Sequence, residues 1–182
     1  MNQMNQSATS IFNVEKVEHL VHHGAGYYSG SSNDYYNLIV YGCEPWFKAQ
    51  NHITITRDRA LMEDYYIDAE LKARYSSLSN SAIAELLTFP SIFAYENTHG
   101  RRTDPGHEAA VGHLTNIKKR SNGIEIYFRP IFFVDQQRLN ELSFELGFIG
   151  SSRGIHELSH SHWTVKAIDL YEVLRDNEIL MR

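Results

Sequence analysis

The stretch AAVGHLTNIKKRSNGIEIYF, residues 109–128, carries the clearest local signal in the chain. Two runs rich in apolar residues, Ala109–Ile117 and Ile124–Phe128, flank a polar segment that ends in Asn122-Gly123. An Asn-Gly pair supplies the positive φ values that a tight hairpin turn needs. The sequence therefore predicts an antiparallel β-hairpin as the centre of the fold.

Lys118, Lys119 and Arg120 form the one dense basic cluster of the sequence, and they lie at the predicted hairpin tip. The functional interpretation is a phosphate contact with nucleic acid. The alternative, which we favour, is a solvated tip whose charge prevents edge-to-edge strand pairing. A formal net charge of -5 gives no general reason to expect a nucleic-acid-binding protein.

The patterns on both sides of the hairpin predict further strands and helices. After it, Asp135 has the residue type of an N-cap and Gly147 that of a C-terminal stop, so Asp135–Gly147 is expected to be a helix. The remaining predicted elements are strands at Tyr35–Tyr41, His52–Thr56, Ser91–Tyr95 and Trp163–Ala167, and helices at Arg57–Tyr75, after Ser79, and after Asp169.

This order of elements predicts the α+β class, with a mainly antiparallel curved sheet or partial barrel packed by three to four helices. Residues 1–10 are expected to be a disordered tail, and residues 11–182 a single globular domain. Within that domain we expect N-terminal strands in 11–56, helices in 57–88, and a hairpin-helix-strand-helix core in 89–182.

Composition indicates a cytoplasmic protein. Cys43 is the single cysteine, which rules out an intramolecular disulfide and is typical of a reducing compartment. The polar start MNQMNQSATS lacks the basic and apolar regions of a signal peptide, and no apolar run approaches the length of a membrane span.

The string His156-Glu157-Leu158-Ser159-His160 spells the H-E-x-x-H pattern of metalloproteases. On a helix, His156 and His160 would share a face and bind zinc, and Glu157 would be the general base. The flanks argue against a helix, because a Gly- and Ser-rich segment precedes the string and a predicted strand follows it. We therefore favour no metal or catalytic residue here, and keep the zinc site as the alternative.

Several short segments resemble an uncharacterised bacterial domain family that occurs alone and in fusions in anti-phage or abortive-infection contexts. They are Phe93–Glu96, Val111–Ile117, Leu142–Leu146 and His162–Lys166 with Asp169-Leu170, so the resemblance covers about Phe89–Leu174. The family has His and Trp where this chain has His162 and Trp163, but normally no histidine at 156 or 160. The resemblance implies a defence context and brings no established enzyme activity with it.

Two further groups are candidate ligand contacts. His162 and Trp163 could stack on a base while Lys166 neutralises a phosphate, although a buried strand end explains the pair as well. Arg101 and Arg102 could contact phosphate from a polar loop, although a solvated loop is favoured.

The leading hypothesis is therefore a non-catalytic sensor or adaptor module of a bacterial, anti-phage system that binds a protein, nucleotide or nucleic acid. A protein partner is favoured over nucleic acid, no membrane association is expected, and no cofactor is favoured. The alternative is a small zinc-dependent hydrolase that uses His156, Glu157 and His160.

Overall fold

The computed structural model describes residues 33–42, 46–62, 66–148 and 156–180. The chain divides into two units, Met1–Ser31 and Ser32–Arg182, and the described residues all belong to the second. The predicted tail in 1–10 and any strand in 11–32 lie outside them. Within the described ranges, no helix combines the length and apolar character needed to cross a membrane.

The two strands of the central hairpin are longer than the sequence predicted. Strand β4 runs from Glu108–Arg120 and strand β5 from Gly123–Asp135, and Arg120 pairs with Gly123 across a two-residue turn. The predicted hairpin is thus confirmed, but its turn is centred on Ser121-Asn122 instead of Asn122-Gly123. Gly123 has a φ of 156°, and a Cβ there would lie 2.4 Å from the carbonyl oxygen of Ile55. Close strand approach therefore requires this glycine.

Two irregularities bend the hairpin, one between Val111 and Gly112 and one between Leu114 and Asn116. At the first, a Cβ on Gly112 would lie 2.1 Å from the carbonyl oxygen of Arg129, so the two backbones meet where a side chain cannot fit. Bulges increase local twist and bend a strand. The two bulges are consistent with the curling of the sheet into a half-barrel.

Among the described residues, six strands form one mixed sheet. Besides β4 and β5 these are β1 (Tyr36–Val40), β2 (His52–Ile55), β3 (Pro90–Ala94) and β6 (His162–Lys166), in the order β2-β5-β4-β3-β1-β6. Neighbours are antiparallel except β1 and β3, which are parallel. The predicted α+β class with a mainly antiparallel curved sheet is confirmed.

Both faces of the sheet carry an apolar core, because alternate side chains of each strand point to opposite sides. On β1, Ile39 belongs to one core while Leu38 and Val40 belong to the other. Large side chains that fill the first core include Trp46, Tyr75, Phe89, Phe93, Phe128 and Trp163. Those of the second include Tyr36, Ile92, Leu139, Leu146, Leu158, Leu170 and Leu174.

Five α-helices lie in the described residues. They are α1 (Trp46–Ala49), α2 (Ala69–Tyr75), α3 (Asn80–Leu86), α4 (Gln136–Glu141) and α5 (Leu170–Asp176). The predicted N-caps before the last three are confirmed: the side chains of Ser79, Asp135 and Asp169 each accept a backbone N–H of the first turn.

The predicted helix at Arg57–Tyr75 is wrong in its first half. Arg57–Arg59 is a 3₁₀ turn, and Leu61 then adopts a φ of 60° while its N–H donates to the carbonyl of Trp163 at 2.8 Å. Pairing with β6 therefore overrides the helical propensity of this segment. The next helix among the described residues is α2, whose N-cap Asp68 accepts the backbone N–H of Glu70.

The predicted helix at Asp135–Gly147 is also shorter than expected. Its regular part ends with α4, and the chain continues in turns to Gly147, which has a φ of 66°. Phe148 N–H donates to Ser143 O at 2.7 Å and closes this irregular end.

Candidate functional site

The metalloprotease-like string does not form an α-helix. Glu157–Ser159 is a single 3₁₀ turn, and His156 is its N-cap, with Nδ1 accepting from Leu158 N–H at 3.3 Å. The Nε2 atom of His156 lies 2.9 Å from Ser143 Oγ. Both ring nitrogens of His156 are therefore engaged inside the protein.

The sequence predicts a loop around His156, where a histidine seldom contributes to packing, but the structure leaves this side chain only 1% exposed. Burial, with a contribution from the positive charge of Arg101, lowers its pKa from 6.5 to about 4, although Glu157 acts in the opposite direction. The imidazole is therefore neutral at pH 7, with the proton on Nε2 facing Ser143.

Glu157 is fully buried in a cluster of charged groups. Its carboxylate lies 2.8 Å from Lys166 Nζ and 3.3 Å from His162 Nε2. Lys166 also donates to the carbonyl oxygen of Tyr66 at 2.9 Å, and burial lowers its pKa while Glu157 raises it. The attraction between this carboxylate and the buried ammonium offsets the desolvation cost of both groups. Either charge alone would be strongly destabilising at this position.

His160 lies on the other side of this turn, half-buried, with its ring 4.9 Å from that of Tyr66 and 5.5 Å from that of His162. His156 instead contacts Ser143. In the part of the chain that the structure describes, no group of three or more His, Cys, Asp or Glu side chains is arranged to hold a metal ion.

The platform predicted from His162, Trp163 and Lys166 does not form, because neighbouring residues of a strand point to opposite faces. His162 and Lys166 point toward Glu157. Trp163 lies in the other core, where its indole N–H donates to Asn37 Oδ1 at 3.1 Å. All three side chains are buried, so a ligand could not reach them in this conformation.

A buried polar network that the sequence did not reveal joins the loop before β4 to α4. Gln136 exchanges hydrogen bonds with the backbone of Tyr95 at 2.9 and 3.0 Å, and donates to Asn97 Oδ1 at 3.0 Å. Asn97 and Asn140 bond each other at 2.8 and 3.1 Å. Amide side chains at these positions carry no recognisable spacing, so only the fold brings them together.

Arg101 and Arg102 lie on an exposed turn near this network, closed by two backbone hydrogen bonds between His99 and Arg102. The turn is tied down by Asn97, which donates to Gly100 O at 2.8 Å. Both arginines are exposed on this turn, and their role in binding phosphate stays a prediction.

The three basic side chains at the hairpin tip point to two different faces of the hairpin. Lys118 lies 4.5 Å from the centre of the Tyr127 ring, and Arg120 binds Glu125 through two nitrogens at 2.8 and 3.0 Å. Lys119 points the other way and donates to Leu78 O at 3.0 Å. The three cations therefore do not form one phosphate-binding surface.

A surface pocket of about 220 Å³ lies on the Lys119 side of the hairpin. Its polar lining consists of Arg57, Lys119 and the two serines that follow α2, Ser76 and Ser77. Its apolar lining is supplied by Ala60, Met62, Leu78 and Ile124. Residues from three separate segments meet here, which is why sequence reasoning found only Lys119.

No family model, curated protein or solved structure matches the chain.

Proposed function

We propose that this chain is a non-catalytic binding module, a sensor or adaptor that acts in the bacterial cytoplasm, with anti-phage defence as its expected context. The observation that carries the proposal is the position of Glu157. The one carboxylate of the H-E-x-x-H string is fully buried and paired with Lys166 and His162, so we assign it a structural role.

An exposed aromatic side chain on the surface supports a binding function over a catalytic one. Phe144 is 93% exposed although Leu142 and Leu146 on either side of it are buried, and such a side chain suits contact with a protein partner. Nucleic acid is less favoured, because Lys118 and Arg120 face away from Lys119 and Arg120 is paired with Glu125.

The metal content of the protein tests the zinc-hydrolase alternative. The chain should be purified without a polyhistidine tag, incubated with zinc, desalted and measured by mass spectrometry. We expect well below one zinc per chain, unchanged by His156→Ala with His160→Ala, because the two imidazoles are held by different contacts. One zinc per chain that the double variant loses would overturn the proposal.

Glu157→Gln distinguishes a structural from a catalytic carboxylate. Replacing the buried partner of Lys166 should destabilise the protein by about 3 kcal/mol, since it leaves an ammonium without its counter-ion. A general base would show the opposite pattern, with stability kept and an activity lost. Urea denaturation measures the effect, and Glu145→Gln, an exposed change of equal charge, is its control.

A further inference from the structure

Two cations line the pocket, and neither is paired with a carboxylate among the described residues. Arg57 donates to the carbonyl oxygen of Arg120 at 2.9 Å, and Lys119 donates to the carbonyls of Leu78 and Ser77 at 3.0 and 3.5 Å. Neither forms an ion pair with any carboxylate among the described residues. These backbone carbonyls hold the guanidinium and the ammonium in place. Because a carbonyl carries no net charge, both positive charges can still attract an anion.

The rest of the lining adds hydroxyl donors and an apolar surface. Ser76 is half-buried and Ser77 exposed, and neither hydroxyl forms a hydrogen bond to another described residue. Met62, 41% exposed, and Ile124 supply the apolar part. A concave site with a few convergent polar groups over apolar walls is the usual form of a small-molecule site.

The backbone around the pocket is held in an unusual conformation. Leu78 lines it with a φ of 48°, and Leu61, between two lining residues, has a φ of 60°. Left-handed conformations are costly for a bulky residue and cluster at ligand sites, where the surrounding structure enforces them. Both leucines are buried in the first core, so their side chains anchor the pocket wall to it.

We propose that this pocket binds a phosphate monoester with a small apolar or aromatic organic part; this rests on the binding function proposed above. A dianionic phosphate carries the charge that two cations neutralise, and its oxygens accept from a guanidinium, an ammonium and hydroxyls together. The apolar walls take the organic group. The same chemistry is presented by a free mononucleotide and by the phosphorylated end of an oligonucleotide.

The test is a calorimetric titration of the full chain with phenyl phosphate, adenosine monophosphate, and a 5′-phosphorylated single-stranded hexanucleotide. Phenol, adenosine and the unphosphorylated hexanucleotide are the matched ligands without phosphate. We expect saturable binding of phenyl phosphate and none of phenol. Tighter binding of the mononucleotide, or of the phosphorylated hexanucleotide, identifies the source of the phosphate. Failure of every phosphorylated probe to bind at about 10 mM, a concentration that reveals even weak affinities, overturns the inference.

Variants locate the site. Lys119→Gln and Arg57→Gln should each weaken binding about tenfold or more, because each removes a charge-assisted contact. Lys118→Gln, the same change on the other face of the hairpin, should leave the affinity within about twofold. Equal losses in Lys118→Gln and Lys119→Gln would show that general charge, and not the pocket, attracts the ligand.

A second pair of variants keeps the test valid if the first pair folds poorly. Ser77→Glu places a carboxylate on the pocket wall at an exposed position and should abolish binding, whereas Ala73→Glu adds the same charge to an exposed site on α2 that does not line the pocket. Unchanged binding by Ser77→Glu overturns the site. Release of inorganic phosphate would instead overturn the non-catalytic function, since it reports turnover rather than the place of binding.

Discussion

At the scale of single residues, His156 links the stability of the domain to pH. Its pKa is lowered to about 4 in the folded protein, whereas an unfolded histidine titrates near 6.5. Between these two values the unfolded state binds more protons, so stability decreases as the pH falls through this window. The full shift corresponds to about 3 kcal/mol.

We therefore expect the free energy of unfolding to fall markedly between pH 7 and pH 4.5, and His156→Gln to remove much of this slope. Part of it should remain, because burial also lowers the pKa of His113. Urea denaturation at several pH values measures the slope, and His99→Gln, a change at an exposed position, is the control. A slope that His156→Gln leaves untouched would show that another group carries the dependence.

Local sequence was sufficient for some of these residues and insufficient for others. The strand at β6 and the burial of Trp163 and Val165 follow from an alternating pattern that can be recognised in five residues, but the same alternation would place His162 on an exposed face, whereas the structure buries it. The burial of His156 depends on Asn97 and Ser143, which come from other segments. Nothing in the string HELSH distinguishes a histidine held by remote partners from one in an open loop.

At the scale of elements, the hairpin of β4 and β5 depends on the absence of a side chain at Gly112. A methyl group there would lie 2.1 Å from Arg129 O, closer than any van der Waals contact allows, so the strands must separate. We expect Gly112→Ala to destabilise the domain by about 2–4 kcal/mol, in the range of overpacked cores or above it.

Gly100→Ala is the matched control for this prediction. A Cβ on Gly100 meets nothing within 4 Å, but the residue has a φ of 59°, so the change should cost only about 1 kcal/mol of backbone strain. Thermal unfolding of both variants compares the costs. If Gly112→Ala proved the milder of the two, the close approach of the strands would not be the constraint that we infer.

Helix starts were predictable, but helix lengths were not. Ser79, Asp135 and Asp169 cap their helices through bonds to residues two or three positions ahead, which sequence spacing contains. By contrast, the segment after Arg57 leaves the helical conformation because Leu61 bonds to Trp163, about a hundred positions away. A partner of that kind has no local signature.

At the scale of the whole molecule, the second unit of the chain contains two apolar cores, one on each face of the sheet. We expect a chain shortened to Ser32–Arg182 to unfold cooperatively, since both cores lie within it. The fluorescence of Trp46 and Trp163, 5% and 1% exposed, reports the first core. A gradual loss of this signal with urea would contradict the prediction.

A chain that ends before β6 is the informative comparison. It lacks Trp163 and Val165 from one core and Leu170 and Leu174 from the other, and it leaves β1 paired on one edge only, with β3. We expect this shorter chain to bind hydrophobic dyes and to lack a cooperative transition.

The position of β1 in the sheet also constrains the order in which strands can pair during synthesis on the ribosome. This strand is the first described one to emerge, yet it pairs with β3 and β6, and its Asn37 bonds a tryptophan 126 positions later. The hairpin of β4 and β5 can assemble as soon as its own residues emerge, because its contacts are local. The nascent chain must therefore keep one edge of the apolar strand β1 unpaired until β6 has emerged, and that interval is when a chaperone would be needed most.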